Sequence, residues 1–397
     1  MTVSEKQQFE GWDKVVLEQI TTPSKNQWKP GNADCPYVGL EHINEASLTL
    51  NSIGDSAQVG SNKFRFDVGD ILFGKLRPYF RKVVRVDFQG ICSTDIWVFR
   101  AKDGYDQNFL FYLLANPVFI DKATKASTGT RMPRADWNFL KKTLWKAPSL
   151  QEQKRIANVL SSLDDKIELL RKQNETLEAI AQTIFKEWFV NFNFPDKNGK
   201  PYRDNGGKMI DSELGEIPEG WGVGTYSNVV EVSTGKGLKK EFLSEKGQYL
   251  VLGANGKIGR TDEYLLDADL ILTGRVGTLG TVNISYNKVW VSDNVLISRA
   301  KKSHYFHFAY LTLLRFNFES LNRGSTQPLI TQTDIKSVEV IIPDEDSLHL
   351  FSRATESLFN KIRSNTNQVA TLEKLRDTLL PKLMSGQVRV KGGKSNA

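Results

Sequence analysis

Residues 149–190 read SLQEQKRIANVLSSLDDKIELLRKQNETLEAIAQTIFKEWFV. Ile156, Leu160, Leu163, Ile167, Leu170, Asn174, Leu177, Ala181, Ile184 and Trp188 recur at alternating spacings of four and three. That is the sustained seam of a long helix made to pack against another. Asp164, Lys166, Glu168, Arg171, Lys172 and Glu175 cover its other faces. At 1.5 Å per residue such a helix is about 60 Å long. A second seam runs Phe351, Thr355, Leu358, Ile362, Asn365, Val369, Leu372, Arg376, Leu379 and Leu383, with Thr355, Asn365 and Arg376 as breaks. This helix is expected to be slightly shorter, kinked or ended by Pro381. Neither helix can bury its seam alone, so the two are expected to pair, antiparallel if a pseudo-twofold axis relates the halves. Asn174 and Asn365 then serve as register devices or stand as tolerated polar breaks.

Working outward, the chain reads as one unit written twice. Glu10-Gly11-Trp12 returns as Glu219-Gly220-Trp221 at an offset of 209. Ile71-Leu72-Phe73-Gly74-Lys75 is echoed by Leu270-Ile271-Leu272-Thr273-Gly274-Arg275, and Thr94 to Phe99 by Ser292 to Ile297. A Gly-hydroxyl-x-x-Pro loop occurs at Gly129 to Pro133 and at Gly324 to Pro328. Pro148 and Pro343 close the two copies at an offset of 195. Before each closing proline, β-branched and aromatic runs (Val83 to Val86, Ile91 to Phe99, Tyr249 to Leu252, Val289 to Ile297) predict strands. Shorter helices are expected at Phe109 to Leu114 and Phe306 to Phe316. The expected fold class is α+β: two similar α+β domains joined by two long antiparallel coiled-coil helices. The expected boundaries are 1–148 for the first domain, 149–192 for the first spacer helix and 193–210 for a linker. The second domain is then 211–343, and the second spacer helix with its tail 344–397. The Pro/Gly/Asn-rich linker has an ordered front around Phe192, Phe194 and Tyr202 and a flexible back. The tail beyond Gly386 is expected to fray.

The 397 residues carry 53 Lys+Arg against 46 Asp+Glu, a net charge of +7. With 40% hydrophobic and 25% charged residues, the composition is that of a soluble globular protein. Two cysteines, Cys35 and Cys92, exclude a disulfide scaffold and a Cys-rich zinc site. No apolar run approaches the roughly 20 residues of a membrane span. The first residues have no apolar signal core, so a cytoplasmic location is expected. The positive charge is clustered. Between Lys63 and Arg85 seven basic residues face two acidic ones, and between Lys122 and Lys146 seven face one. Clustered charge on a folded domain favours a polyanion. Two similar basic domains on a rigid spacer form a ruler, and duplex DNA, with related sites about 34 Å apart per turn, fits it.

Four segments bear a resemblance to a known family. They are Phe185-Lys-Glu-Trp-Phe-Val-Asn-Phe-Asn-Phe-Pro195, Leu379-Leu-Pro-Lys-Leu-Met-Ser-Gly-Gln-Val-Arg389, Leu214-Gly-Glu-Ile-Pro-Glu-Gly-Trp221 and Asp269-Leu-Ile-Leu-Thr-Gly-Arg275. In combination, and over essentially the whole chain, the sequence resembles the specificity subunit of a Type I restriction-modification system. The resemblance implies two target recognition domains that read a bipartite, asymmetric site on double-stranded DNA. It implies assembly with two methylation subunits and with restriction subunits, and no catalytic centre in this chain. S-adenosylmethionine, ATP and Mg are then expected on the partner subunits. The first domain's Gly74-Lys75-Leu76-Arg77 departs from the more typical Thr273-Gly274-Arg275-Val276-Gly277 of the second.

Candidate phosphate contacts are Lys75, Arg77, Arg81, Lys82, Lys257, Arg260, Arg275 and Arg323. Candidate readers lie in the two Gly-hydroxyl-x-x-Pro loops: Thr130, Arg131 and Arg134, then Ser325, Thr326 and Gln327. Arginine can fork onto guanine and glutamine onto adenine. The alternative is that Gly129 and Gly324 merely make turns. Tyr37 to Ile43 and Asn255 to Gly259 are second candidates. Apolar residues outside the mutual seam (Val159, Ile180, Phe185, Phe189, Leu348, Phe359, Leu375, Leu380), with Trp188 at the seam's end, are the expected partner surface.

Other function classes leave little trace. No Walker loop occurs. Asn116-Pro117-Val118-Phe119 lacks the second proline of an amino-methyltransferase motif and is expected to be a helix end before proline. No Asp/Glu-x-Lys strand follows Pro195-Asp196, which removes the nuclease reading. His304 and His307 are three apart, with His42 and His349 distant in sequence, so no metal is expected there. A fused enzyme with an unfamiliar site, a protein-binding coiled-coil scaffold and a DNA-binding protein outside a restriction system stand as alternatives.

Overall fold

The computed structural model describes residues 11–31, 34–244, 247–277, 279–324 and 328–390. The chain divides into two compact units. Unit 1 is Met1–Leu169 with Gln368–Ala397, and unit 2 is Leu170–Asn367. The two long helices, Leu150–Phe189 and Glu345–Met384, have 40 residues each. Each helix gives one half to each unit. No helix among the described residues is long and apolar enough to cross a membrane.

In unit 1 a four-stranded sheet has the order Thr21–Pro23, Ile96–Ala101, Ile71–Gly74, Val83–Arg85, all antiparallel. Its central run Ile71-Leu72-Phe73 is apolar without alternation because both faces are covered. Ile71, Phe73 and Phe99 belong to a core that also holds the helix Gln107–Ala115 and, from the spacer helices, Ile156, Ala157, Leu160, Leu380, Leu383 and Met384. Leu72, Val84, Ile96 and Val98 pack on the opposite side with Val38, Phe66 and Cys92 of a five-stranded outer sheet. Asp13–Val16 pairs with Leu144–Ala147 and ties the start of the domain to the strand that precedes the first spacer helix.

Unit 2 repeats the plan. Its central sheet runs Val230–Thr234, Val295–Ala300, Leu270–Gly274, Val282–Ser285. Gly222–Thr225 pairs with Glu339–Ile342 as the closing pair. The outer sheet is smaller, with Tyr249–Gly253 antiparallel to Gly256–Thr261 and parallel to Val289–Val291. Its main core joins Tyr226, Ile271, Leu296 and the helix Phe306–Leu313 to Ala181, Phe185, Phe189, Leu348, Phe351 and Phe359 of the spacer helices.

Within each unit the helix halves run antiparallel. In unit 1 Asp164 meets Arg376 at 2.8 Å and Glu152 meets Arg389 at 2.8 Å. In unit 2 Asn365 Nδ2 donates to Asn174 Oδ1 at 3.0 Å, and Phe185 and Phe189 pack on Phe351. The expected breaks do not open the seam: Thr355, Asn365 and Arg376 are all buried.

Three expectations are corrected. The second helix equals the first in length. It also continues through Pro381 to Met384, because Leu380, Leu383 and Met384 are buried and their packing holds the last turn. The tail does not fray at Gly386: Arg389 Nε and Nη2 bond Glu152, and Val390 packs on the unit 1 core. Residues 391–397 lie outside the described residues. In the linker, Phe194 stacks on Trp221 (4.8 Å) and Tyr202 (4.6 Å), as the aromatic front suggested. Behind it, Gly206 and Gly207 donate to Arg203 and Tyr202 carbonyls in closed turns.

Candidate nucleic-acid interface

Each central sheet releases its middle strand into a segment that a second loop holds by backbone hydrogen bonds. In unit 1, Lys75 N donates to Asp95 O (2.9 Å), Arg77 N to Pro133 O (2.7 Å) and Ala135 N to Lys75 O (2.9 Å), while Leu76 bridges Arg134. In unit 2, Arg275 N donates to Asn294 O (3.0 Å), Gly277 N to Pro328 O (3.1 Å) and Ile330 N to Arg275 O (2.9 Å), while Val276 bridges Leu329. The same backbone frame therefore carries different side chains. Lys75 corresponds to Arg275, Asp95 to Asn294, and Arg134 to Leu329.

Arg77 and Arg81 both adopt φ of 50°, flanking the short turn Pro78–Phe80. A left-handed non-glycine residue costs about 1–3 kcal/mol and persists where surroundings over-determine it. The result lifts Tyr79 out, half exposed, against Phe80. No sequence signal marked Tyr79, since its exposure comes from that backbone. Gly129 has φ of 95°, so its loop does need glycine for a turn, and Thr130 and Arg131 follow it at the exposed tip.

The basic candidates separate by what already binds them. Arg134 grips Asp95 through two hydrogen bonds of 2.8 and 3.0 Å, which hold the Asp95 carboxyl below its usual range. With its fork filled by a carboxylate, Arg134 braces the loop in this structure. Arg81 faces Asp377 of the second spacer helix at 3.4 Å, and Lys82 Nζ donates to Leu40 O at 2.8 Å. Arg260 ties its own hairpin, bonding the Gly247 and Gln248 carbonyls at 2.5 and 2.6 Å. Arg323 pairs at 2.5 Å with Asp334, although most of its side chain is exposed. Each of these five side chains already has a partner inside its unit: a carboxylate for Arg134, Arg81 and Arg323, and backbone carbonyls for Lys82 and Arg260.

Among the described residues, the side chains of Lys75, Arg131, Lys257 and Arg275 have no ion-pair partner, and Arg77 makes only a 3.4 Å bond to Arg131 O. Burial lowers the Lys75 pKa, against the pull of Asp95. Arg275 has a buried Nε without a partner. Lys257 stands exposed at the tip of its hairpin beside Gly256. Thus the charges the structure leaves available cluster at the frame (Lys75, Arg77, Arg131; Arg275) and at one hairpin (Lys257). Ser325, Thr326 and Gln327 lie outside the described residues. Of the second candidates, Val38 and Ile43 are buried, and Gly39 N donates to His42 Nδ1 in a local turn.

The expected partner surface divides sharply. Phe185, Phe189, Leu348, Phe359 and Leu380 are buried in the two cores, which the seam pattern alone did not show. Ile180 and Leu375 are exposed, both at 44%. They occupy equivalent positions, 195 apart like the closing prolines. Val159 and Trp188 are half-buried, Trp188 against Phe351.

The decoys resolve as structure. Asn116 caps the helix Pro117–Lys125, accepting from Val118 N at 3.0 Å. Asp196 organises a turn, accepting from the Asn198 and Lys200 amides.

Comparison with known proteins gives the lineage. The family model for the Type I restriction modification DNA specificity domain matches residues 10–179 and again 218–374, reproducing the repeat. The MjaIX specificity subunit of Methanocaldococcus jannaschii, a Type I restriction enzyme, is 30% identical over 315 residues, covering 73% of this chain and 71% of that protein. The HindI specificity subunit of Haemophilus influenzae is 23% identical, covering 83% of this chain and 88% of that one. The crystal structure of a Type I restriction-modification S subunit from M. genitalium shares the fold, with a TM-score of 0.51 at 17% identity over 94% of this chain and 96% of that one. The doubled domain, the paired helices and these matches agree: this chain belongs to the specificity-subunit family of Type I restriction-modification systems.

Proposed function

We propose that the chain reads a bipartite, asymmetric sequence on double-stranded DNA and carries the methylation subunits to it, with no catalytic centre of its own. The observation that carries this reading is the repeated frame, with Lys75, Arg77 and Arg131 in one unit and Arg275 in the other. Equal frames with unequal side chains suit two readers of unlike half-sites. Asp95 and Arg134 are replaced together by Asn294 and Leu329, so the strut is exchanged as a pair while the basic residue ahead of it stays available. Ile180 and Leu375 offer equivalent apolar points for two like partners, one per half, with restriction subunits joining where cleavage occurs. S-adenosylmethionine, ATP and Mg then belong to those partners, and the assembly works in the cytoplasm.

The test is co-expression with the methylation subunit, followed by mapping modified adenines across host DNA. The expected outcome is two different half-sites with a fixed unread gap. A contiguous or symmetric motif overturns the reading. At residue level, Arg131→Ala is expected to weaken specific binding by about 1–3 kcal/mol and relax one position. Lys75→Ala and Arg275→Ala should weaken all sequences alike, each lowering the salt slope by about 1. Fluorescence anisotropy on matched and scrambled duplexes over a salt series separates the two behaviours.

A further inference from the structure

In unit 2 the first turn of the second spacer helix meets the segment that opens the helix Phe306–Leu313. Glu345 and His349, four apart on one face of the spacer helix, converge there with His304. One ligand atom from each of the three lies within 4.8 Å of the others. The His304 and His349 rings stack at 3.7 Å with 23° between planes, and His304 Nε2 lies 2.7 Å from Glu345 Oε2. Sequence distance had set His349 apart from His304; the fold joins them.

We propose that His304, Glu345 and His349 form a binding site for a divalent transition ion of the zinc class, which clamps the second domain to its spacer helix. Two imidazoles and one carboxylate are the donor set of a borderline-soft ion, and disfavour Mg or Ca, which take oxygen donors. Tetrahedral binding with ligands about 2.0–2.2 Å from the ion sets them about 3.4 Å apart. Atoms already within 4.8 Å reach that by side-chain rotation: exposed His349 turns, and Glu345 exchanges its Lys302 and Tyr305 partners for the ion. The cluster already recruits a cation. Glu345 accepts Lys302 Nζ at 2.5 Å together with the Tyr305 hydroxyl. Lys302 is half exposed and can swing out when a divalent ion enters; water completes the coordination. Unit 1 has no counterpart, since the positions 195 earlier are Leu150 and Lys154. There Asp106 N bonds Gln153 Oε1 instead (2.9 Å), an all-protein fastening at the same joint.

The test is calorimetric titration of the chelator-treated full chain, alone or with its methylation subunits, with Zn²⁺, and with Co²⁺ as an absorbing probe of tetrahedral geometry. One high-affinity equivalent is expected, and His349→Ala should weaken it by more than the roughly 10–100-fold that losing an outer-sphere partner costs. Lys302→Ala removes the competing cation and should tighten binding, which general damage to the fold would not do. Wild-type affinity no better than that of His349→Ala, or weaker binding in Lys302→Ala, overturns the proposal.

Discussion

Arg376 stands where the heptad asks for an apolar residue, and its side chain is 2% exposed. Burial opposes its charge, yet Asp164 and Asp377 raise its pKa on balance. Asp164 in turn accepts the Tyr112 hydroxyl at 2.7 Å. Arg376→Ala would strand the Asp164 carboxylate and should cost about 3–5 kcal/mol in denaturant unfolding, whereas Arg376→Met paired with Asp164→Leu should be near neutral or stabilising. His307 is a half-buried ionisable group on the other side of the repeat. Its ring lies on Phe359 at 3.9 Å and meets Thr355 Oγ1 at 3.1 Å, and burial lowers its pKa to about 4. The unfolded imidazole protonates near ~6.5, so acid favours the unfolded chain first. Stability from neutral His307 is therefore complete above about pH 6.5 and lost as pH falls towards 4, by up to about 1.4 kcal/mol per pH unit. Unfolding midpoints measured across that window should show a shallower slope for His307→Gln. At this scale the sequence disclosed which residues are basic, but not which are already answered. Arg134 and Arg131 look alike in the chain, and only the position of Asp95 separates them.

The spacer helices were the most legible elements, because a seam buried along its length leaves an unbroken period. The first runs Leu150–Phe189, where the expected spacer was 149–192. Pro381 misled because propensity yields where Leu380 and Leu383 are buried beside it. Asn174 and Asn365 are hydrogen-bonded to each other, and Asn174 Nδ2 also donates to Thr366 Oγ1 at 3.3 Å. Replacing either asparagine alone by leucine should destabilise by about 1–3 kcal/mol, because the other amide loses its partner. Replacing both should raise the melting temperature and loosen the register. Calorimetry of the three variants distinguishes a paired device from two tolerated breaks, for which the single changes would not be costly. Charge in the buried Phe185–Phe189 pair is now expected to unfold unit 2. Ile180→Asp with Leu375→Asp should instead leave circular dichroism unchanged and abolish co-elution with the methylation subunit.

Across the whole molecule the repeat was legible as an offset: both helices and both closing prolines repeat at 195. What no linear reading shows is that each compact unit takes half of each helix. Contacts made by residues such as Arg389 with Glu152 regroup distant parts of the chain. If the helices set the unread gap, inserting seven residues near the middle of both keeps the seam in phase. It should lengthen the gap by about 10 Å, or roughly three base pairs, with both half-sites unchanged by methylome mapping. The repeat also raises a hazard of mispairing between copies, and the Asp164–Arg376 ion pair bears on it. At the 195 offset, Asp164 matches Phe359 and Arg376 matches Ala181. A first helix paired with another first helix would set Asp164 against Ala181, and two second helices would set Arg376 against Phe359. Either mistake strands a charge twice over in a twofold complex, at about 3–5 kcal/mol each. A charge written into one copy and not the other thus gives the halves a sex: first accepts second, and neither accepts itself.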